Sequence, residues 1–127
     1  MGQAMGFTFE AIDHVQLAMP RGAEAQGVAY FAGVLGFEEV PKPEPLAVRG
    51  GCWFRSDAVV VHLGAEDPFT PARKAHPAFL VRGIDAVAER LLAAGFAVRW
   101  DHELPEVRRF HTDDPWGNRI EVVAAPE

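Results

Sequence analysis

Two short stretches decide the fold, "IDHVQLAM" at residues 12–19 and "KAHPAFLV" at residues 74–81. Each resembles a strand and is followed by an amphipathic helical pattern that stops at a glycine, Gly36 in the first half and Gly95 in the second. Each half then ends in segments rich in Val, Phe and Trp, "GGCWFRSDAVVVHLG" at 50–64 and "VRRFHTDDPWGNRIEVV" at 107–123. The chain therefore repeats one βαβββ pattern twice.

This repeat predicts an α+β fold in a single domain over residues 1–127, with one module at about 9–64 and a second at about 75–125. Each helix should cover one face of its own mixed sheet, and the two sheets should curl around a concave cavity. The predicted helices lie near 23–35 and 84–94. The predicted strands lie near 11–19, 37–41, 52–56, 58–63, 76–82, 96–101, 107–113 and 119–125.

Composition excludes several classes of function. The net charge is −6 and the basic residues are scattered, which argues against nucleic-acid binding because phosphate contacts need a concentrated basic face. No apolar run reaches the length of about 18 residues that a membrane span needs. The opening "MGQAMG" does not resemble a secretory signal, and the lone Cys52 excludes an intrachain disulfide. We therefore expect a cytoplasmic protein that does not associate with membranes.

Four polar residues occupy equivalent places in the two halves. His14 and His76 stand at the starts of the first strands, and His62 and Glu121 stand on the last strands, at similar intervals from them. Side chains alternate along a strand, so the apolar neighbours of each can face the helix while these four face the cavity. Three imidazoles and a carboxylate suit a divalent transition metal, namely Zn, Ni, Co, Fe or Mn.

Other polar and aromatic residues are weaker candidates. Gln16 shares the His14 face and could contact a substrate, or it could be a satisfied polar residue. Trp53 and Phe110 could form an aromatic wall against a substrate or could belong to the core. His102 and His111 fall outside the repeat and are given no metal role.

The motifs "IDHVQL", "YFAGVLGFEEV", "AHPAFLV" and "DDPWGNRIEVV" resemble those of the vicinal oxygen chelate superfamily, which includes glyoxalases, bleomycin resistance proteins and dioxygenases. The resemblance runs from about residue 9 to 124 and implies paired βαβββ modules. It maps the family's metal ligands onto His14, His62, His76 and Glu121, and it implies a homodimer that binds a small molecule. Family members form the site either within one chain or across a dimer.

His62 is where the sequence departs from better-known members of that superfamily. Glyoxalase I-like enzymes usually have a carboxylate at this position, and methylmalonyl-CoA epimerase-like members typically have Gln. Extradiol dioxygenase-like and fosfomycin resistance-like members use only the other three ligands. Bleomycin-binding members lack the metal ligands, which disfavours that activity here.

The leading hypothesis is a glyoxalase-like lyase or isomerase whose metal chelates two adjacent substrate oxygens, with Glu121 or His62 as the catalytic base. The first alternative is a non-haem Fe(II) dioxygenase of the extradiol type, in which His14, His76 and Glu121 hold iron and His62 acts from outside the ligand shell. The second alternative is a non-catalytic protein that binds a drug or metabolite and so confers resistance.

Overall fold

The structure, a computed structural model, describes residues 5–126. Among these residues, no helix is long and apolar enough to cross a membrane. The strands are β1 (Val15–Pro20), β2 (Glu38–Val40), β3 (Cys52–Ser56), β4 (Val59–Glu66), β5 (Ala78–Val81), β6 (Arg99–Asp101), β7 (Arg109–Asp113) and β8 (Arg119–Ala124). The helices are α1 (Glu24–Val28), which continues as a π-helix over Ala29–Val34, α2 (Glu44–Ala47) and α3 (Ile84–Ala93).

The eight strands form two four-stranded mixed sheets, in the orders β1-β4-β3-β2 and β5-β8-β7-β6. In each sheet the first and last strands of the module are parallel neighbours, β1 with β4 and β5 with β8. The predicted α+β fold of two βαβββ modules is therefore confirmed. This pairing brings residues at the start of each module next to residues near its end.

The strands that follow His14 and His76 begin later than predicted. β1 starts at Val15, so His14 precedes the ladder that pairs Val15 with Val61. β5 starts at Ala78, directly after Pro77, because proline has no N–H to donate to a ladder. Both histidines consequently lie on the segments that lead into the first strands, where the side chain is less constrained than within a sheet.

The core of the molecule lies between each sheet and its helix. Phe31 of the π-helix stacks on Phe54 of β3, with ring centroids 5.3 Å apart, and both side chains are fully buried. In the second module Leu91 of α3 and Phe110 of β7 are fully buried as well. The remaining faces of the sheets are free to carry polar side chains.

The two modules contact one another through their helices and through the turn between β7 and β8. Tyr30 meets Phe96 edge to face, with ring centroids 4.9 Å apart. Arg90 of α3 donates from Nε to the Val34 carbonyl oxygen at 2.6 Å. In the turn, Asn118 donates from Nδ2 to the Ala18 carbonyl oxygen of β1 at 2.8 Å. These contacts hold the modules in one arrangement and fix where their polar faces lie.

Candidate metal centre

Three potential metal ligands meet on the polar face of the second sheet. His76 Nε2 lies 3.0 Å from Glu121 Oε1, and His111 Nε2 lies 3.6 Å from the same oxygen. One ligand atom from each of the three side chains falls within 4.8 Å of the others. In the part of the chain that the structure describes, this is the one group of three or more His, Cys, Asp or Glu residues with that spacing.

The register of the β7–β8 hairpin explains why His111 joins the group. Asp113 pairs with Arg119 at the turn, and two residues further along each strand His111 pairs with Glu121. Directly opposed residues project from the same face of a sheet, so both side chains lie on one side. His111 was predicted to have no metal role because it falls outside the repeat that relates His14 and His62 to His76 and Glu121. Counting outward from the "DPWGN" turn would have found it.

The same alternation corrects the prediction for Phe110. Its neighbours on β7, Arg109 and His111, occupy the polar face, so Phe110 must point to the opposite side. It is fully buried in the hydrophobic core, where its ring meets that of Trp100 on β6 with centroids 5.2 Å apart. Phe110 is therefore a core residue, and it does not contact a substrate in this arrangement.

Arg109 holds the second oxygen of the Glu121 carboxylate. Its Nη1 donates to Glu121 Oε2 at 3.1 Å, and its Nη2 lies 3.0 Å from Asp101 Oδ2. The two oxygens of Glu121 thus have different partners, with Oε1 turned toward the imidazoles and Oε2 bonded to the guanidinium. A carboxylate pinned in this way is oriented before any ion binds.

The pKa shifts of His111 and Glu121 both favour the protonation state that metal binding needs. Burial lowers the pKa of His111, which favours the neutral imidazole near neutral pH. Burial raises the pKa of Glu121, but hydrogen bonds from His76 and Arg109 outweigh this effect, and the net pKa is lowered. Glu121 is therefore ionised at neutral pH and offers a negative oxygen to a cation.

The two donor separations measured from Glu121 Oε1 also fit a first-row metal ion. Two donors bound side by side at about 2.1 Å from an ion lie roughly 3.0 Å apart in an octahedral site and roughly 3.4 Å apart in a tetrahedral one. The separations of 3.0 Å and 3.6 Å from Glu121 Oε1 are close to these values. Two imidazoles and one carboxylate, with the remaining positions open, form a donor set suited to a reactive metal.

His14 and His62 form a separate pair on the first sheet. Their rings stack with centroids 4.0 Å apart, and the other face of His62 lies on Trp53 at 3.9 Å with an interplanar angle of 3°. Burial lowers the pKa of His62, and the neighbouring His14 lowers it further. Within one chain, the structure therefore divides the four predicted ligands into two pairs, one on each sheet.

A cavity of about 680 Å³ lies between the segments that lead into β1 and β5. His14 and His76 both line it, and so does the exposed Gln16, whose amide lies over Gly64 of β4. Trp53 is half-buried in its stack with His62 and does not line this cavity. The cavity is therefore lined by one predicted ligand from each module, His14 and His76. His76 belongs both to the cavity wall and to the cluster.

Comparison with protein-family models and with curated protein sequences gave no match. Among solved structures, the chain is similar to a glyoxalase family protein from Bacillus anthracis, with 45% sequence identity over 94% of this chain and 98% of that one and a TM-score of 0.90. A glyoxalase/dioxygenase from Nostoc punctiforme is 19% identical over 93% and 92% of the two chains, with a TM-score of 0.74. The fosfomycin resistance protein FosX from Listeria monocytogenes is 16% identical over 94% and 96%, with a TM-score of 0.72. The last two likenesses show a shared fold.

Proposed function

The chain belongs to the glyoxalase family within the vicinal oxygen chelate superfamily, and on that premise we propose that it is a metal-dependent lyase or isomerase acting on a small substrate with two adjacent oxygen atoms. The observation that carries the proposal is the cluster of His76, His111 and Glu121, of which His76 also lines an open cavity. These three residues would hold a divalent ion, whether Zn, Ni, Co, Fe or Mn. When bound, such an ion would polarise the chelated substrate oxygens and stabilise negative charge on them.

The residues around the ion would orient the carboxylate and move the proton. Arg109 keeps Glu121 Oε2 engaged and so presents Oε1 to the ion. The same contacts make Glu121 a weak base, because they lower its pKa. His62 is the better candidate for the base, because the ordinary pKa of an imidazole, 6.5, lies above the 4.5 of the Glu121 carboxylate, and its lowered pKa favours the neutral form that can accept a proton near pH 7.

His14 and His62 belong to the proposed site from the other side of the cavity. The four-ligand set derived from the repeat requires them near the ion, yet in one chain they form their own stacked pair. A homodimer that faces this pair toward the cluster of a second copy would bring both histidines to the ion, His14 as a further ligand and His62 as the base. The resemblance described above implies a homodimer that binds a small molecule, and we propose that arrangement for the present chain.

The proposal is tested by metal binding and by proton exchange, measured separately. Protein stripped with a chelator should bind one divalent ion per chain in calorimetry, and H76A and H111A should each weaken binding by tenfold or more, roughly the cost of one lost ligand or supporting contact. The metal-loaded protein should exchange the carbon-bound proton of a 2-hydroxy-ketone with deuterated solvent. H102A is the matched control, because His102 is exposed and lies outside the cluster. No ion bound, or no exchange by metal-loaded protein, would refute the proposal.

A second candidate is a non-haem Fe(II) dioxygenase, and one observation favours it. Two histidines and one carboxylate from a single chain match the ligand triad of such oxygenases, which leave positions open for dioxygen. The triad observed contains His111 in place of the predicted His14. Protein loaded with Fe(II) would then consume oxygen in the presence of catechol, and H14A would retain its iron. Oxygen uptake without proton exchange would select this function over the first.

A further inference from the structure

The cavity beside the cluster has a distinctive chemical lining. Four of its lining residues carry polar side chains, and these are Asp13, His14, Gln16 and His76. The rest of the wall consists of alanine, valine, leucine, isoleucine, proline and phenylalanine. A wall of this kind favours a ligand whose surface is mainly hydrocarbon, with its polar atoms gathered at one end.

No lysine or arginine contributes to the cavity wall within residues 5–126. Its one carboxylate is Asp13, whose Oδ2 lies 2.9 Å from His14 Nδ1 and whose side chain is 97% exposed. Away from the proposed metal ion, a bound anion would therefore meet a negative group and no positively charged side chain of the wall. Recognition of carboxylate or phosphate groups normally depends on arginine or lysine, and burying an unpaired charge is costly.

Arg109 is the cation that touches the cluster, and both of its terminal nitrogens already contact carboxylates. Nη1 is bonded to Glu121 and Nη2 contacts Asp101, each at about 3 Å, and Arg109 does not line the cavity, so its charge is directed at these two side chains and away from a ligand in the cavity. With Asp101 and Glu121 negative and Arg109 positive, the fixed charges leave one net negative charge. With a divalent ion bound, the net charge of these groups becomes one positive. A substrate that loses a single proton on binding would neutralise that charge, and any further anionic group on it would remain uncompensated.

We infer that the substrate is an uncharged, largely apolar molecule that carries its two adjacent oxygens at one end, and that it is neither a phosphonate nor a carboxylate nor an anionic thiol conjugate. This inference rests on the proposed function, because the metal supplies the contact with the oxygens. The lining of the cavity disfavours a charged substrate.

Two probes that differ by one carboxylate test the inference. Catechol and 3,4-dihydroxybenzoate present the same pair of adjacent oxygens, and their affinities for Zn-loaded protein can be measured by calorimetry without any turnover. Catechol should bind more tightly by about tenfold or more, because only the benzoate brings an unpaired charge into the cavity. Equal or tighter binding of the benzoate by protein that holds its metal would overturn this inference and leave the proposed function intact. Failure to hold metal would instead overturn the proposed function.

Placing a cation in the wall should reverse the preference. Val60 lines the cavity from β4, so V60K should bind 3,4-dihydroxybenzoate more tightly than catechol. V48K makes the same chemical change at a residue that is 88% exposed and away from the cavity, so it should keep the original preference. Because V60K disturbs a half-buried position, Q16K provides a second variant at an exposed lining residue. Unchanged preferences in a folded V60K or Q16K would count against the inference.

Discussion

Replacement of Asn118 should destabilise the protein by removing hydrogen bonds that hold the two modules together. This side chain is 1% exposed, and each of its polar atoms is satisfied. Its Oδ1 accepts from the Ala72 N–H at 2.9 Å, and its Nδ2 donates to the Ala18 carbonyl oxygen at 2.8 Å and to Asp114 Oδ2 at 2.7 Å. One amide thus ties the β7–β8 turn to β1 and to the segment that joins the modules.

The cost of N118A can be worked out from these partners. The Ala72 amide is on an exposed residue and can bond to water instead, so its loss contributes little. The Ala18 carbonyl and the buried Asp114 carboxylate would lose a donor without replacement, at about 1–1.5 and 1.5–3 kcal/mol respectively. We therefore expect the free energy of unfolding to fall by about 3–4 kcal/mol, or Tm by about 10–15 °C for a domain of this size.

N118D sharpens the test because it keeps the shape and changes one atom. The new carboxylate would place an acceptor where Nδ2 now donates to Ala18 and Asp114, so at neutral pH this variant should be destabilised at least as much as N118A. The assay is urea unfolding of metal-free protein at one fixed protein concentration, so that the variants are compared under the same conditions of association. Q26A is the control, since it also deletes a hydrogen bond between the modules, from Trp116 Nε1, but at an exposed site. Losses below 1 kcal/mol for both Asn118 variants would refute the reasoning.

Two further effects follow from backbone geometry and from titration. Gly51 has φ +88°, and an added Cβ would lie 2.1 Å from the Leu63 carbonyl oxygen. G51A should therefore destabilise the protein by about 3 kcal/mol or more. The control is G33A, which has open space at the added Cβ and should be neutral or slightly stabilising in the same urea experiment. The lowered pKa of Glu121 contributes stability that is present above its ordinary value of 4.5 and is lost as the pH falls through the lowered one. Metal-free E121Q should therefore lose less stability than the unsubstituted protein between about pH 5 and pH 3, and equal slopes of stability against pH would contradict this.

The sequence was sufficient to predict the architecture because the repeat is carried by local signals. Glycines at helix ends, alternation on strands and the "DPWGN" turn each constrain a few neighbouring residues. Gly36 and Gly95 have φ of +76° and +91°, as helix-ending glycines should. These signals do not depend on which parts of the chain meet in space, so they could be interpreted without a structure.

The parts of the site that the sequence did not predict depend on contacts between distant segments. The ion pairs of Arg109 with Asp101 and Glu121 arise only when β6, β7 and β8 lie side by side. The separation of the His14–His62 pair from the cluster depends on how the two sheets pack, which no local pattern encodes. The π-helical end of the first helix and the short α2 were also missed.

The "DPWGN" turn at residues 114–118, between β7 and β8, sets the geometry of the cluster. The Asn118 backbone N–H donates to Asp114 Oδ1 at 2.9 Å, and the Asp114 N–H donates to the Asn118 carbonyl oxygen at 2.9 Å. These two hydrogen bonds close the turn and fix the number of residues in it. That length determines that His111 faces Glu121, because register propagates from the turn along both strands. A slip by one residue would send His111 into the core and bring Phe110 to the polar face. The motif is therefore needed for the geometry of the cluster even though, among its five residues, none is a member of it.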